Sequence, residues 1–76
     1  MNANINWNEI IKKEARGIND FDLGEVQEIQ NDVVVTQKGI LDKDKFYLAK
    51  NMVDRFTGQN VWFKITKEDA EVYRRD

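Results

Sequence analysis

The chain has 76 residues, with 12 basic and 14 acidic side chains, a formal charge of −2, and neither cysteine nor histidine. This composition excludes disulfides, thiolate chemistry, Cys/His zinc fingers and imidazole acid–base catalysis. The length predicts a single domain over residues 1–76, with a small core and a narrow margin of stability. Since no disulfide can add to that margin, we expect association with a second copy and predict a homodimer.

The charges are interspersed along the chain and form no basic stripe. Because each neutralised phosphate takes a Lys or Arg, this pattern predicts no direct DNA binding. No apolar run approaches the roughly 20 residues of a membrane span. Met1 leads into polar residues rather than the basic start and apolar core of a secretion signal. The sequence therefore predicts a cytoplasmic protein without a transmembrane segment.

The N-terminal segment, residues 1–13, is predicted to hold one short helix. Trp7, Ile10 and Ile11 have the spacing of one helical face, and Asn6 with Glu9 resembles a capping box. Trp7 could serve either as an exposed binding aromatic or as a packing residue. Packing on the rest of the domain is the preferred interpretation, because a tryptophan ring carries a large apolar surface.

The middle of the chain, residues 14–65, is predicted to form short strands separated by Asn/Asp and Gly turns. Val26 and Ile29 are three positions apart rather than two, which predicts a β-bulge between them. Residues 51–56 are predicted as a turn or a single helical turn, and 57–60 as a hairpin loop. The predicted strands cover residues 14–18, 23–29, 33–36, 46–49 and 61–65.

The C-terminal segment, residues 66–74, is predicted as a helix. Thr66 is a good N-cap, and the acidic side chains that follow it oppose the positive end of the helix dipole. Ala70, Tyr73 and, less directly, Val72 are expected to face the sheet. The predicted fold class is mainly β, with a small, strongly bent antiparallel sheet that closes into a β-barrel between short terminal helices.

The sequence signals for catalytic and metal-binding groups are weak. Asp20 with Asp22, and Asp42 with Asp44, have the alternating spacing of calcium loops, but Asn31 and Val53 stand where each loop would need its bidentate Glu. The spacing of the glycines does not match a phosphate-binding loop, and no pair of carboxylates has the setting of a hydrolase site. We therefore predict no catalytic residues, no cofactor, no metal and no enzyme activity.

Two aromatic residues carry the functional signal. If Phe46 and Phe63 point inward, the alternation of a strand places Tyr47 and Trp62 on the outer face. Tyr and Trp anchor many protein interfaces, so these two form a candidate protein-binding surface, although Trp62 could instead lie beneath a terminal helix. Val34 is a third candidate, because its strand could be a sheet edge that pairs with a second copy.

Three segments resemble the PRC-barrel family. Gly24-Glu25-Val26, which follows an acidic turn, is similar to the family's entry into its second strand. Residues 46–53 resemble its tyrosine–aliphatic–proline segment, with Ala49 where many members have proline. Residues 65–70 resemble its closing strand and helix. The resemblance covers residues 14–73 and is strongest to the short, stand-alone archaeal members.

The resemblance implies a β-barrel adaptor that binds other proteins and has no shared catalytic residues. Archaeal relatives of this type are linked to cell division, so the expected function is a scaffold between components of the division machinery. The alternative is a ribosome-associated or RNA-maturation factor, because a fused member of the family serves ribosomal RNA maturation. An RNA-dependent association would show a steep loss of affinity with salt.

Overall fold

The computed structural model describes residues 5–39 and 44–75. Within them, short 3₁₀ helices and one four-residue α-helix connect the strands of a single sheet. The strands are β1 Glu14–Arg16, β2 Asp22–Gln30, β3 Val33–Lys38, β4 Asp44–Ala49, β5 Val53–Phe56, β6 Asn60–Phe63 and β7 Arg74–Arg75. The helix α1 spans Lys67–Ala70, and the 3₁₀ helices span Trp7–Ile10, Ile18–Asp20, Lys50–Met52 and Glu71–Tyr73.

The sheet has the strand order β5-β6-β1-β2-β3-β4-β7. The prediction of a mainly β fold is confirmed, but the prediction of an antiparallel sheet closed into a barrel is wrong. β1 and β6 pair in parallel, which makes the sheet mixed, and β5 and β7 are its two edges. Strands joined by a long connection can run in parallel, and hydrophobic alternation along each strand carries no information about direction.

The core lies on one face of the sheet. Inward side chains from every strand except β7 meet there, with Ala70 of α1 and Ile10 of the first 3₁₀ helix. Trp7 packs against this cluster, which confirms the packing interpretation. The cluster consists of Ile10, Ala15, Leu23, Val26, Val34, Phe46, Leu48, Val53, Val61, Phe63, Ile65 and Ala70. Because strands at both ends of the sheet contribute to one cluster, the sheet bends around it.

The short connections follow the predicted turn chemistry. Asn19 and Asp20 adopt left-handed backbone, with φ of 65° and 63°, and Asn31 has φ of 53°. The register of β2 against β3 shifts between Val26 and Glu28, so the predicted bulge is confirmed. The side chain of Thr66 accepts a hydrogen bond from the amide of Asp69 at 3.1 Å, which confirms the N-cap.

Several elements differ from the predictions in type or extent. The N-terminal helix is a single 3₁₀ turn. The helical turn predicted within residues 51–56 is present only as the 3₁₀ helix Lys50–Met52, and residues 53–56 form β5. The predicted helix over 66–74 is helical over 67–73, as α1 followed by the 3₁₀ helix Glu71–Tyr73, and Arg74 belongs to β7. Val72 is 69% exposed instead of facing the sheet. Tertiary pairing decides these segments, because each is too short for its own periodicity to fix a structure.

Thr36 is the one polar side chain among the buried residues described, and its hydroxyl has no hydrogen-bond partner among them. We expect Thr36→Val to raise the free energy of unfolding by about 1 kcal/mol, since valine has the same shape without an unsatisfied hydroxyl. Urea denaturation measures the change. Thr66→Val is the control with opposite sign, because it removes the N-cap and lowers stability by about 1 kcal/mol. A destabilising Thr36→Val would show that the hydroxyl is bonded in solution.

Candidate functional site

Val34, predicted as an edge residue, lies inside the protein. Its side chain is 0% exposed, and β3 pairs with β2 on one side and β4 on the other. The prediction that this strand is a free edge is therefore wrong. Since side chains alternate between the faces of a strand, the outward residues of β3 are the neighbours of Val34, namely Val33 and Val35.

The outer face of β3 and β4 carries a small apolar surface, which we call the β3–β4 patch. It consists of Val33, Val35, Tyr47 and Ala49. In the register of these strands Val33 is opposite Ala49 and Val35 is opposite Tyr47. Val35 is only 1% exposed although it is not a member of the core cluster, and the other three are half-buried. The structure thus places Tyr47 outward, among apolar neighbours on the side of the sheet away from the core.

Charged residues continue the outer face on both sides of β3. Successive cross-strand partners run Glu14, Glu25, Gln37, Lys45 and Arg75 across β1, β2, β3, β4 and β7. We call this series the charged row. Its signs are negative on β1 and β2, neutral at Gln37 and positive on β4 and β7. Among the described residues, Glu25, Lys45 and Arg75 form no ion pair.

Trp62 lies on the outer face of β6, between two arginines. Its cross-strand partners are Arg55 on β5 and Arg16 on β1. The Arg55 guanidinium lies 5.1 Å from the centroid of the Trp62 ring, within the range of a cation–π contact. Arg55 also forms an ion pair with Asp54, and Arg16 with Glu14. We call Arg16, Arg55 and Trp62 the Trp62 surface.

Tyr47 and Trp62 do not form one patch. Strands β1, β2 and β3 separate β6 from β4, so the two side chains are about 19 Å apart along the sheet at a strand spacing of about 4.8 Å. Because the sheet bends around its core, its outer face points in different directions at these strands. The predicted pair of outward aromatics therefore becomes two separate surfaces.

Two exposed aliphatic residues that the sequence does not identify as surface groups line grooves beside α1. Val72, together with Met52 and Tyr73, lines a shallow groove of about 350 Å³. Ile18, which is 46% exposed, lines another groove of about 350 Å³ with Phe21. Exposure of this kind has no signal in the sequence, because it depends on how α1 docks on the sheet.

The acidic pairs serve local structure where they are described. Asp20 lies 3.7 Å from the Arg16 guanidinium, and the Asp22 carboxylate accepts a hydrogen bond from the Gly24 amide at 2.8 Å. Asp44 is paired with Arg74, whereas Asp42 lies outside the described residues. In residues 5–39 and 44–75 no group of acidic side chains has the arrangement of a metal site.

Comparison with known proteins assigns this chain to no family. No family model matches the sequence, and no curated protein matches it. The PRC-barrel resemblance therefore stays a prediction. Within the described part of the chain, every helix is too short or too polar to pass through a lipid bilayer.

Proposed function

We propose that this chain is a non-enzymatic adaptor of the PRC-barrel type that binds other proteins as a cytoplasmic homodimer. The observation that carries the proposal is the separation of two outward aromatic surfaces on one small sheet. An adaptor needs two surfaces that can be occupied at the same time. The β3–β4 patch and the Trp62 surface meet this need, because they share no strand and β2 lies between them.

The Trp62 surface is the proposed contact for the other protein. Tryptophan and arginine are the residue types most enriched among interface hot spots. The Arg55 guanidinium stacks on the Trp62 ring, and both arginines have carboxylate partners that restrict their side chains. A surface held in place before binding loses less conformational entropy when the partner docks.

The PRC-barrel assignment is supported by the structural position of its resembling segments. Gly24 has φ of +89° and lies where the register of β2 against β1 shifts, so the Gly-Glu-Val element needs a glycine because of its backbone conformation. Phe46 and Leu48 of the second resembling segment contribute to the core, as alternation along the strand predicts. By this assignment the partner would be a component of the cell-division machinery.

Replacement of Trp62 tests the partner surface. We expect Trp62→Ala to reduce capture of the partner from native lysate at least tenfold, the effect of losing a hot-spot residue of about 2 kcal/mol. Trp62→Phe is the matched control and should retain much of the binding, because it keeps an aromatic ring on β6. Both variants are captured by a tag and compared by quantitative mass spectrometry, after circular dichroism confirms that they are folded.

Nuclease treatment of the lysate distinguishes the two classes of partner. The adaptor proposal expects a set of proteins that survives RNase and is lost in Trp62→Ala. Ribosomal proteins that disappear with RNase would contradict the proposal and favour the RNA-maturation alternative. Unchanged capture by Trp62→Ala would contradict the assignment of this surface.

A further inference from the structure

We propose that a second copy of this chain docks face to face on the outer surface of β3, with the two-fold axis of the dimer running along that strand. The inference deepens the proposed function, since it rests on the homodimer and assigns its interface. Trp62 on β6 and Arg55 on β5 lie outside the strands of this interface and stay free for the other protein.

The charged row is the first argument. An axis along β3 maps the β2 side of one copy onto the β4 side of its partner, and it maps β1 onto β7. Glu25 then faces Lys45 of the second copy, and Glu14 faces Arg75. Gln37, on the axis strand, faces Gln37. The charges of the row are negative on one side of β3 and positive on the other. A surface with this arrangement is complementary to itself when the same surface of two copies meets in an isologous interface.

The arrangement within a single copy is unfavourable. Glu14 is directly opposite Glu25, although Glu14 also forms an ion pair with Arg16. Lys45 is directly opposite Arg75. Like charges directly opposite each other on one face of a sheet are destabilising. Among the described residues Lys45 has no carboxylate partner, and Arg75 donates to the backbone carbonyls of Val72 and Arg74. The second copy places an opposite charge against each member of these two repulsive pairs.

The β3–β4 patch is the second argument, because it places apolar groups at the axis. Val33 of each copy would lie near the axis with Tyr47 and Ala49 beside it, whereas Val35 is only 1% exposed and contributes little. Stacked sheets lie about 10 Å apart, a distance that such side chains fill. Tyr47 would face Glu28, which is the cross-strand partner of Val35 on β2 and is exposed. A phenol hydroxyl can donate a hydrogen bond to that carboxylate.

The curvature of the sheet sets which contacts matter most. Two convex faces touch at their centres, so the contacts of β2, β3 and β4 contribute more than those of the outer strands. The decisive charge pair is therefore Glu25 with Lys45 of the second copy. Glu14 and Arg75 are farther from the axis and contribute less.

Charge reversal tests this geometry on the purified protein by sedimentation equilibrium. Glu25→Lys and Lys45→Glu should each raise the dimer dissociation constant about 100-fold, because each change creates two repulsive pairs per dimer. The double variant carrying both changes should dimerise like the original protein, since reversal of both signs restores attraction. An equimolar mixture of the two single variants should also form a 1:1 dimer.

Rescue by the double variant distinguishes loss of this charge pair from a general loss of folding or solubility. Glu25 is exposed and Lys45 half-buried, so both single variants should remain folded, which circular dichroism checks. A dimer that persists in both single variants, a double variant that stays monomeric, or an original protein that is monomeric would each overturn the proposal. Because the measurement contains no other protein, the adaptor proposal is tested separately by the capture experiment.

Discussion

Gly24→Ala is expected to lower the free energy of unfolding by about 2 to 5 kcal/mol, which is a large part of the stability of a domain this small. The backbone of Gly24 has φ of +89°, a conformation that side chains with a Cβ rarely adopt. An added Cβ would also overlap the backbone carbonyl of Gln37 and lie 2.7 Å from the backbone nitrogen of Lys38. β3 cannot move away, because it is paired on its other side with β4.

Gly58→Ala is the matched control for this change. Gly58 has a similar φ of +95°, but an added Cβ would meet no atom within 4 Å. We expect it to lower the free energy of unfolding by about 1 kcal/mol, the backbone term alone. Urea denaturation of both variants measures the difference. Equal losses would show that the close approach of β2 to β3 at Gly24 does not contribute, and would contradict the packing that the structure describes.

Val34→Lys is expected to unfold the domain. Val34 is 0% exposed and belongs to the core cluster, so the variant would bury an ammonium group without a partner. The loss of apolar burial is about 2 kcal/mol, and an unpaired buried charge adds several kcal/mol. Loss of the folded circular dichroism spectrum and of a cooperative thermal transition would show the effect.

Val33→Lys is the control that separates folding from association. Val33 is the neighbouring residue on β3 and faces outward, so the lysine can extend into solvent in a single copy. We expect this variant to remain folded and to dimerise weakly, because a lysine from each copy would meet at the dimer axis. If instead Val34→Lys were folded and monomeric, β3 would be an edge strand in solution and the sheet order would be wrong.

The outward aromatic residues show how far the sequence leads toward the candidate site. Alternation along β4 and β6 placed Tyr47 and Trp62 on the outer face, because the period of two is a local property of each strand. The prediction for Val34 rests instead on the possibility that its strand is a sheet edge that pairs with a second copy. Whether a strand is an edge depends on which distant segments pair with it, and β3 pairs with both β2 and β4.

The charged row could not be predicted at all. Glu14, Glu25, Lys45 and Arg75 are distant in the sequence, and their alignment depends on the registers of four strand pairs. Each register is set by core packing and by irregularities such as the one at Gly24. A slip of one residue in any pair would remove the antisymmetry.

The features that could be predicted from the residues are local. Backbone preferences and side-chain hydrogen bonds within a few residues determine four such features. These are the mainly β composition, the turns at Asn19 and Asn31, the bulge after Val26 and the N-cap at Thr66. Other features are determined only by the tertiary structure. These are the parallel pairing of β1 with β6, the edge positions of β5 and β7, and the two separate outer surfaces. They arise from contacts between distant segments, which the sequence encodes only through the packing of the whole core.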